Sequence, residues 1–315
     1  MNLNIQENVI LAPFTTFKIG GPARFFSVSS SEDELIGLIK WAKEKKLPVF
    51  ALGGGSNILV SDKGFDGLVI KIQNPKYEIK NLNIFTEAGV PFAKLIFESA
   101  KSELTGLEWG AGIPGTIGGA TNGNAGAFGE DISASIEKAR VFDVKDFSVK
   151  EFNNKMCGFQ YRDSVFKKNP DLIILSLVLK LQKGNAGEIN ESIKDALKQR
   201  NESHGAGVKS AGCVFKNIPW GRKDIDKDYL TGALPDLKKY GHFPRFSAGF
   251  IIDSLGLRGK KLGDAMVLEK HANFIVNLEK AKAEHIIMLI GLIKERVDHK
   301  YGIKLEEEIQ LVGFD

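Results

Sequence analysis

The chain has 315 residues, 43% of them hydrophobic and 26% charged, with a formal net charge of +4 at pH 7. This composition is that of an ordinary globular protein with room for two or three domains, and it gives no basic block to indicate nucleic-acid binding. Because the chain has no run long enough for a membrane span and no secretory signal pattern, we expect a cytoplasmic enzyme without a membrane partner. Its two cysteines and five histidines show no metal-ligand spacing, so no metal is expected. We also expect a monomer or weak oligomer.

The first predicted helix begins after Ser31. Ser31 is a favoured N-cap residue, and Glu34 three positions later completes the pattern of a capping box. We expect this helix to end near Lys46, because Pro48 cannot continue it.

A first glycine cluster follows a strand predicted over residues 49–52. The cluster consists of Gly53, Gly54, Gly55, Ser56 and Asn57. Three successive N–H groups that no side chain obstructs can form a nest for an anion. A tight turn before the next strand is the alternative. The cluster lacks the Lys-Ser/Thr ending of a P-loop, so it does not indicate ATP hydrolysis.

A second glycine cluster, residues 105–129 (TGLEWGAGIPGTIGGATNGNAGAFG), has nine glycines among its twenty-five residues. Each interior glycine costs about 0.5–1 kcal/mol relative to alanine, so a compensating interaction is expected. Main-chain N–H groups lying against a diphosphate would supply it. A flexible linker is the alternative, but Trp109, Ile113, Ile117 and Phe128 are apolar anchors that linkers lack. Two such clusters this close in sequence favour one shared dinucleotide.

Gly110, Gly112 and Gly115 make a literal G-x-G-x-x-G match within this second cluster. The dinucleotide fingerprint must open a helix within a βαβ unit. We expect the glycines that follow Pro114 to prevent that helix, so we interpret the match as accidental.

Small sheets and helices are predicted around the second cluster and beyond it. They are strands at 68–72 and 84–88, a helix from Pro91, a hairpin of strands at 139–144 and 147–152, a strand at 172–181, helices at 187–202 and 281–300, and a strand at 308–312. This order predicts an α+β fold rather than a strict βαβ repeat.

Eight segments in this order resemble those of the UDP-N-acetylenolpyruvoylglucosamine reductase family of bacterial peptidoglycan precursor synthesis. The segments are TTFKIGGPARF, LGGGSNILVSDKGFDGLVI, GIPGTIGGATNGNAGAFG, FQYRDSVFK, SAGCVFKN, SAGFIIDSLGLRGKKLGDAMV, KHANFIVN and LEEEI. Each is weakly specific by itself, but together they span nearly the whole chain.

The resemblance implies an α+β protein with an FAD-binding domain of the vanillyl-alcohol-oxidase (PCMH) type and a C-terminal α+β substrate-binding domain. On this basis residues 1–73 and 74–204 are two FAD-binding subdomains, residues 205–300 bind substrate, and residues 301–315 form a strand with the catalytic glutamate. The boundary at 205 coincides with a glycine-bearing connector.

The resemblance also implies noncovalent FAD as the cofactor, NADPH as the reductant and UDP-N-acetylglucosamine enolpyruvate as the substrate, which is reduced to UDP-N-acetylmuramate. Neither glycine cluster contains a histidine or cysteine that could bond the flavin ring. The residues implied to hold FAD are Gly53, Gly54, Gly55, Ser56, Asn57, Gly112, Ile113, Pro114, Gly115, Gly118, Gly119, Asn122 and Gly126.

Three residues match the family's catalytic positions. Arg162 is implied to stabilise negative charge on the substrate, since a guanidinium is a permanently charged, two-pronged donor to a carboxylate. A surface salt bridge is the alternative for Arg162. Glu308 resembles the second stabilising group, which must be protonated, so we expect burial to raise its pKa. Glu306 lies on the same face if this segment is a strand.

Cys213 aligns with the position at which many relatives carry a proton-donating serine. A thiol with an unperturbed pKa of about 8.5 is mostly protonated at pH 7, so the cysteine should preserve proton donation. A small buried apolar residue is the alternative.

The residues implied to bind the substrate are Tyr161, Lys216, Asn217, Lys260, His271 and Asn273. For Lys260, His271 and Asn273 a purely structural role is the alternative. The glycine clusters alone are equally compatible with two other functions: an oxidase of a small alcohol or sugar, and a nucleotide-binding module that catalyses no reaction. The later motifs favour the reductase.

Overall fold

The computed structural model describes residues 3–205 and 207–314. These residues group into two compact units, each drawn from separate stretches of sequence. Unit 1 comprises the described residues of Met1–Val9, Ala23–Gly55 and Phe65–Glu202, and unit 2 comprises those of Ile10–Pro22, Ser56–Gly64 and Ser203–Asp315.

The strands are numbered here in chain order. They are β1 (Gln6–Ile10), β2 (Pro22–Ser29), β3 (Val49–Leu52), β4 (Ile58–Val60), β5 (Phe65–Ile72), β6 (Tyr77–Lys80), β7 (Asn83–Glu87), β8 (Leu104–Thr105), β9 (Gly126–Ala127), β10 (Glu130–Asp131), β11 (Ile136–Asp143), β12 (Ser148–Asn153), β13 (Leu172–Lys180), β14 (Gln182–Lys183), β15 (Ile218–Pro219), β16 (Arg245–Phe246), β17 (Lys261–Leu262), β18 (Ala265–Val267), β19 (Ile275–Asn277) and β20 (Gln310–Val312).

The α-helices are α1 (Glu32–Glu44), α2 (Phe92–Lys101), α3 (Ile117–Asn122), α4 (Val165–Lys168), α5 (Ala186–His204), α6 (Lys227–Ala233), α7 (Ala248–Asp253) and α8 (Ala283–Tyr301). Short 3-10 turns lie at Ala12–Phe14, Glu108–Gly110, Ile132–Ala134 and Pro235–Tyr240. Among the helices of the described residues, none combines the length and the apolar character that crossing a membrane requires.

Unit 1 contains two main sheets. A four-stranded sheet has the order β1-β2-β5-β3, with β5 parallel to both β2 and β3. A five-stranded sheet has the order β12-β11-β13-β7-β6, and its pairings are antiparallel. Helix α1 buries Leu35, Leu38 and Ile39 in a cluster with Leu68 and Ile70 of β5. The pairing of Leu52 with Lys71 places the carboxyl end of β3, and therefore Gly53, beside β5.

Unit 2 is built on α8 and on short strands. Strand β20 pairs in parallel with β4, and β17, β18 and β19 form an antiparallel sheet. Helix α8 buries Ile286, Leu289 and Ile293 in a core that also contains Phe17 and Leu59. Residues from early and late in the sequence therefore share one core.

Most predicted elements are confirmed. Strand β3 has the predicted limits, residues 139–152 form the predicted hairpin, and Ser31 caps α1 by accepting the Glu34 N–H at 3.2 Å. In a capping box the Glu34 carboxylate would accept the N–H of the N-cap residue, Ser31. Here it accepts the N–H of the preceding residue, Ser30, at 2.8 Å instead.

The compact units cut across the predicted domain boundaries. The predicted first subdomain, residues 1–73, contains Ile10–Pro22 and Ser56–Gly64, which belong to unit 2. In the second of these stretches β4 pairs with β20, and in the first stretch Phe17 lies in the core that also contains residues of α8. Unit 2 resumes at Ser203, close to the predicted boundary at 205, and it includes the segment 301–315 that we separated.

Candidate active site

The two glycine clusters touch each other within unit 1. A Cβ atom added to Gly54 would lie 2.3 Å from the Cα of Gly115, and one added to Gly53 would lie 2.8 Å from Oγ1 of Thr116. Gly115 also has a φ of +125°, which side-chain-bearing residues rarely adopt. The clusters therefore need glycine in order to approach each other, as one shared site requires.

A short helix, α3, follows Gly115, and the prediction that no helix could form here was wrong. Thr116 caps α3 by accepting the Gly119 N–H on Oγ1 at 3.2 Å. Gly118 packs so closely on Ala88 that an added Cβ would lie 2.7 Å from the Ala88 Cβ. The cap and this packing outweigh the low helix propensity of glycine.

The Rossmann interpretation is still unsupported. The strand before α3 is the two-residue β8, which pairs antiparallel with β14. The dinucleotide fingerprint requires a parallel βαβ unit instead.

Several main-chain N–H groups of the predicted cofactor set already have protein partners. Those of Ile113, Gly118 and Gly119 donate to protein oxygens at 2.9, 2.9 and 3.2 Å. Pro114 has no N–H. These four residues can shape the second cluster, but their N–H groups are not available to an anion in this arrangement.

Three other glycines have N–H groups that could hold an anion. Within residues 3–205 and 207–314, no hydrogen-bond partner is present for the N–H groups of Gly54, Gly112 and Gly115. One of the three belongs to the first cluster and two to the second. This set of open donors fits a diphosphate group, which offers acceptor oxygens on both phosphates.

The remaining residues of the predicted cofactor set link the clusters to other segments of their own units. In unit 1 the carbonyl of Asn122 accepts the Ser164 hydroxyl at 2.7 Å. In unit 2 the amide of Asn57 donates to the main-chain oxygen of Glu308 at 3.3 Å. Gly55 is buried and has a φ of +64°, while Ser56 is half-buried.

Arg162 lies in a tight turn of unit 1 and is held against the second glycine cluster. The backbones of Gln160 and Asp163 exchange two hydrogen bonds around it, at 3.0 and 3.1 Å. Its guanidinium donates to the Gly126 carbonyl at 2.6 Å and lies 5.0 Å from the centre of the Tyr161 ring. Its φ is +56°, an uncommon value for a residue with a side chain. Strain of this kind concentrates at functional sites.

Cys213 and Glu308 lie on neighbouring backbone segments of unit 2. Cys213 forms a β-bridge with Phe274 on one side. On the other side the N–H of Glu308 donates to the carbonyl of Val214 at 2.7 Å. Both Cys213 and Glu308 are half-buried. The fold thus brings together two of the three predicted catalytic residues within one unit.

The two glutamates before Glu308 are engaged in ion pairs. The Glu306 carboxylate lies 3.6 Å from the Lys216 ammonium and 3.7 Å from the Arg222 guanidinium. Glu307 accepts a hydrogen bond from Lys294 at 2.8 Å. These pairs hold Glu306 and Glu307 in structural contacts and direct Lys216, a predicted substrate ligand, toward Glu306.

Asn273 positions the segment that carries Cys213. Its amide accepts the Phe215 N–H at 3.0 Å and donates to the Phe215 carbonyl at 2.8 Å, and the residue is 2% exposed. His271 accepts the Asn273 N–H on Nδ1 at 3.3 Å, and burial, followed by the nearby His204, lowers its pKa. These bonds give Asn273 and His271 structural roles, and their contact with substrate stays a prediction.

The other two predicted substrate residues differ in their surroundings. The Asn217 side chain accepts the N–H of Ala248, in the first turn of α7, at 3.3 Å. Lys260 is exposed. Their contact with substrate also stays a prediction.

Two cationic residues at the glycine clusters were missed by the sequence analysis. The Lys71 ammonium, on β5, donates to the carbonyl of Gly53. The Arg200 guanidinium, on α5, donates to the carbonyls of Ala111 and Trp109 at 2.8 and 3.2 Å. A lysine that interrupts the apolar run of β5 is a signal that could have identified Lys71. We find no comparable signal for Arg200 on its polar helix.

Comparison with known families matches both parts of the chain. Residues 23–148 match the family described as FAD binding domain. Residues 202–312 match the family described as UDP-N-acetylenolpyruvoylglucosamine reductase, C-terminal domain. The expected α+β architecture, an FAD-binding domain followed by a second domain of this reductase type, is confirmed.

Individual relatives match over nearly their whole length. The UDP-N-acetylenolpyruvoylglucosamine reductase of Solibacter usitatus is 36% identical over 99% of this chain and 98% of its own. That of Caldanaerobacter subterraneus is 35% identical over 95% and 90%. The crystal structure of UDP-N-acetylenolpyruvylglucosamine reductase from Thermus caldophilus superimposes with a TM-score of 0.78 at 31% identity, covering 98% of this chain and 99% of that one.

Proposed function

The chain belongs to the UDP-N-acetylenolpyruvoylglucosamine reductase family, an FAD enzyme family of peptidoglycan precursor synthesis, and from this premise we propose its reaction and the residues that perform it. The reaction is the NADPH-dependent reduction of UDP-N-acetylglucosamine enolpyruvate to UDP-N-acetylmuramate. We place it in the cytoplasm, as the composition predicts.

FAD, when bound, supplies hydride transfer from NADPH to the enolpyruvyl double bond. The open N–H groups of Gly54, Gly112 and Gly115 would hold its diphosphate, and the close approach of the two clusters would keep these donors together. Donors fixed before the ligand arrives bind it with less loss of conformational entropy.

Arg162 is assigned to the substrate carboxylate. Hydride addition to an alkene that is conjugated with a carboxylate spreads negative charge onto the carboxylate oxygens. A guanidinium stabilises that charge most strongly when it is already oriented. The bond of Arg162 to the Gly126 carbonyl supports this orientation, because it anchors one nitrogen of the guanidinium.

Cys213 is assigned the proton donation that completes the reduction. The carbon next to the one that accepts hydride must receive a proton, and the Cys213 Sγ would give it. Glu308, in its protonated form, would donate a hydrogen bond to the developing negative charge. The observation that carries these assignments is the adjacency of the two segments, which the 2.7 Å bond from the Glu308 N–H to the Val214 carbonyl maintains.

The test is a two-step absorbance experiment on the purified protein. We expect the yellow holoprotein to be bleached by NADPH without oxygen and to regain its colour when the enolpyruvyl nucleotide is added. Bleaching without recolouring would reject the proposed substrate. Rapid recolouring by oxygen alone would indicate an oxidase instead.

A further inference from the structure

Two of the open N–H groups in the glycine clusters belong to peptide units whose carbonyls are held by cationic side chains. The Gly53 carbonyl accepts a hydrogen bond from the Lys71 ammonium, and the next N–H is that of Gly54. The Ala111 carbonyl accepts one from Arg200 Nε at 2.8 Å, and the next N–H is that of Gly112. The same arrangement thus occurs once in each cluster.

This arrangement fixes the direction of both N–H groups. A peptide unit is planar and trans, so its C=O and its N–H point to opposite sides. Holding the Gly53 carbonyl toward Lys71 therefore turns the Gly54 N–H away from Lys71. Holding the Ala111 carbonyl toward Arg200 turns the Gly112 N–H away from Arg200 in the same manner.

Each cation is itself fixed by its surroundings. Lys71 is half-buried on β5, where its backbone pairs with that of Leu52 in β3. Arg200 also donates to the Trp109 carbonyl at 3.2 Å and lies 5.4 Å from the centre of the Phe128 ring. An added Cβ on Gly112 would lie 2.8 Å from the Arg200 Cδ, so the Arg200 side chain packs directly on that glycine.

We propose that Lys71 and Arg200 are positioning residues for the FAD diphosphate, one for each glycine cluster. Each holds a carbonyl back from the anion and so presents the opposite N–H, and each adds a positive charge behind the presented donor. Burial lowers the pKa of Lys71, a cost that a nearby diphosphate anion would offset. This inference rests on FAD as the cofactor.

The test compares FAD with riboflavin, which carries the same ring system without phosphates. The apoprotein of the full chain is titrated with each ligand, and flavin fluorescence is followed. We expect Lys71→Met and Arg200→Met each to weaken FAD binding by about tenfold or more, the scale of one lost charge-assisted interaction, and to leave riboflavin binding unchanged. Lys71→Arg and Arg200→Lys should retain part of the FAD affinity.

A matched control separates this effect from a change in net charge, and unchanged riboflavin binding shows that the variants are folded. Lys40→Met removes one exposed positive charge of α1, and it should leave FAD affinity unchanged. The FAD affinity of the wild-type protein should fall as potassium chloride is added, and it should fall less steeply in Lys71→Met.

Three results would overturn the proposal. They are equal loss of FAD and riboflavin affinity, unchanged FAD affinity in both methionine variants, and an unchanged salt dependence in Lys71→Met. If the wild-type protein binds FAD and one of these results is found, only this inference fails. If the wild-type protein does not bind FAD, the proposed function fails as well.

Discussion

The two cysteines of the chain have different surroundings. Cys157 is fully buried in the core of unit 1, and burial raises its pKa to about 11. Cys213 is half-buried, and its segment lies beside that of Glu308. A thiol in an accessible position can donate a proton or be alkylated, whereas a buried thiol is inert.

This contrast gives a prediction for Cys213. Cys213→Ala should lower kcat by about 10²-fold or more, the usual contribution of a general acid, while reduction of the flavin by NADPH continues at the wild-type rate. Cys213→Ser should retain much of the activity, since a hydroxyl is also a proton donor. Stopped-flow absorbance of the two half-reactions separates the effects.

The matched control for this prediction is Cys157→Ala, which removes the buried thiol. It should leave kcat near the wild-type value, and its effect should appear as a loss of stability. Normal turnover by Cys213→Ala would show that Cys213 has only a structural role.

For individual residues, the sequence predicts candidates that belong to recognisable motifs. It does not predict residues whose contacts depend on how distant elements pack together. Arg162, Cys213 and Glu308 could be named because their short motifs are recognisable. The contacts of Lys71 and Arg200 with carbonyls in the glycine clusters depend on how β5 and α5 pack, which no local pattern encodes. The left-handed φ of Arg162 was equally hidden, since arginine is not a residue type that favours it.

At the scale of elements, strand β3 and helix α3 show the strength and the limit of local patterns. Strand β3 was predicted with its exact limits because Pro48 and the following glycines bound it on both sides. Helix α3 was missed because its glycine content predicts no helix, and Thr116, a favoured N-cap residue type, was not recognised as its cap. The contact of Gly54 with Gly115 depends on both elements being in place.

That contact gives a prediction for Gly54. Gly54→Ala would put a Cβ 2.3 Å from the Gly115 Cα, so the two clusters must separate. We expect the purified variant to be colourless, with FAD affinity lowered by about 10²-fold, because a displacement of this size breaks several hydrogen bonds at once. The measurement is the ratio of flavin to protein absorbance, followed by FAD titration.

Gly221→Ala is the control for this change. Gly221 lies in unit 2, and an added Cβ there would have no heavy atom within 4 Å. This variant should keep its FAD. If Gly54→Ala kept its FAD as well, the close approach of the clusters would not be required for binding.

At the scale of the whole molecule, an ion pair holds the segment before Glu308 in unit 2. The Arg222 guanidinium donates twice to the Asp224 carboxylate, at 2.6 and 2.5 Å, and once to the Lys304 carbonyl, at 2.7 Å. The bonds from Arg222 lower the pKa of Asp224 from 3.8 to about 2. The pair thereby links residues 222–224 to the start of the segment that carries Glu308.

The lowered pKa of Asp224 makes the stability of the protein depend on pH in a defined direction. A carboxyl with a lower pKa in the folded state stabilises the fold above its unfolded pKa, and this contribution is lost as the pH falls through the folded pKa. Asp224→Asn should therefore lower the free energy of unfolding by about 1 kcal/mol at pH 7, after allowance for its partial exposure. The difference from wild type should shrink as the pH falls from 4 toward 2.

Urea unfolding at several pH values measures this difference. Glu295→Gln, which changes an exposed carboxylate of α8, should differ from wild type by no more than about 0.5 kcal/mol at every pH. A difference for Asp224→Asn that did not change with pH would mean that the pair contributes through shape rather than charge.

The whole-molecule organisation was the least predictable level. The glycine-bearing connector in the sequence predicts a domain boundary near residue 205. In the structure, the last stretch of unit 2 begins at Ser203. Nothing local indicated that Ile10–Pro22 and Ser56–Gly64 belong with it, because the pairing of β4 with β20 joins residues far apart in sequence. Such pairings are decided by the complete fold.

The pairing of β4 with β20 has a consequence for biosynthesis. Ribosomes release Ile58–Val60 long before they make Gln310–Val312, so β4 must wait for its partner while the roughly 250 residues between them are synthesised. Phe17 and Leu59 belong to the core that also contains residues of α8, so during that interval we expect them to lack part of their packing and to be accessible to chaperones. A chain that lacked Gln310–Val312 would therefore leave β4 without its partner, so the defect would reach residues far away in sequence.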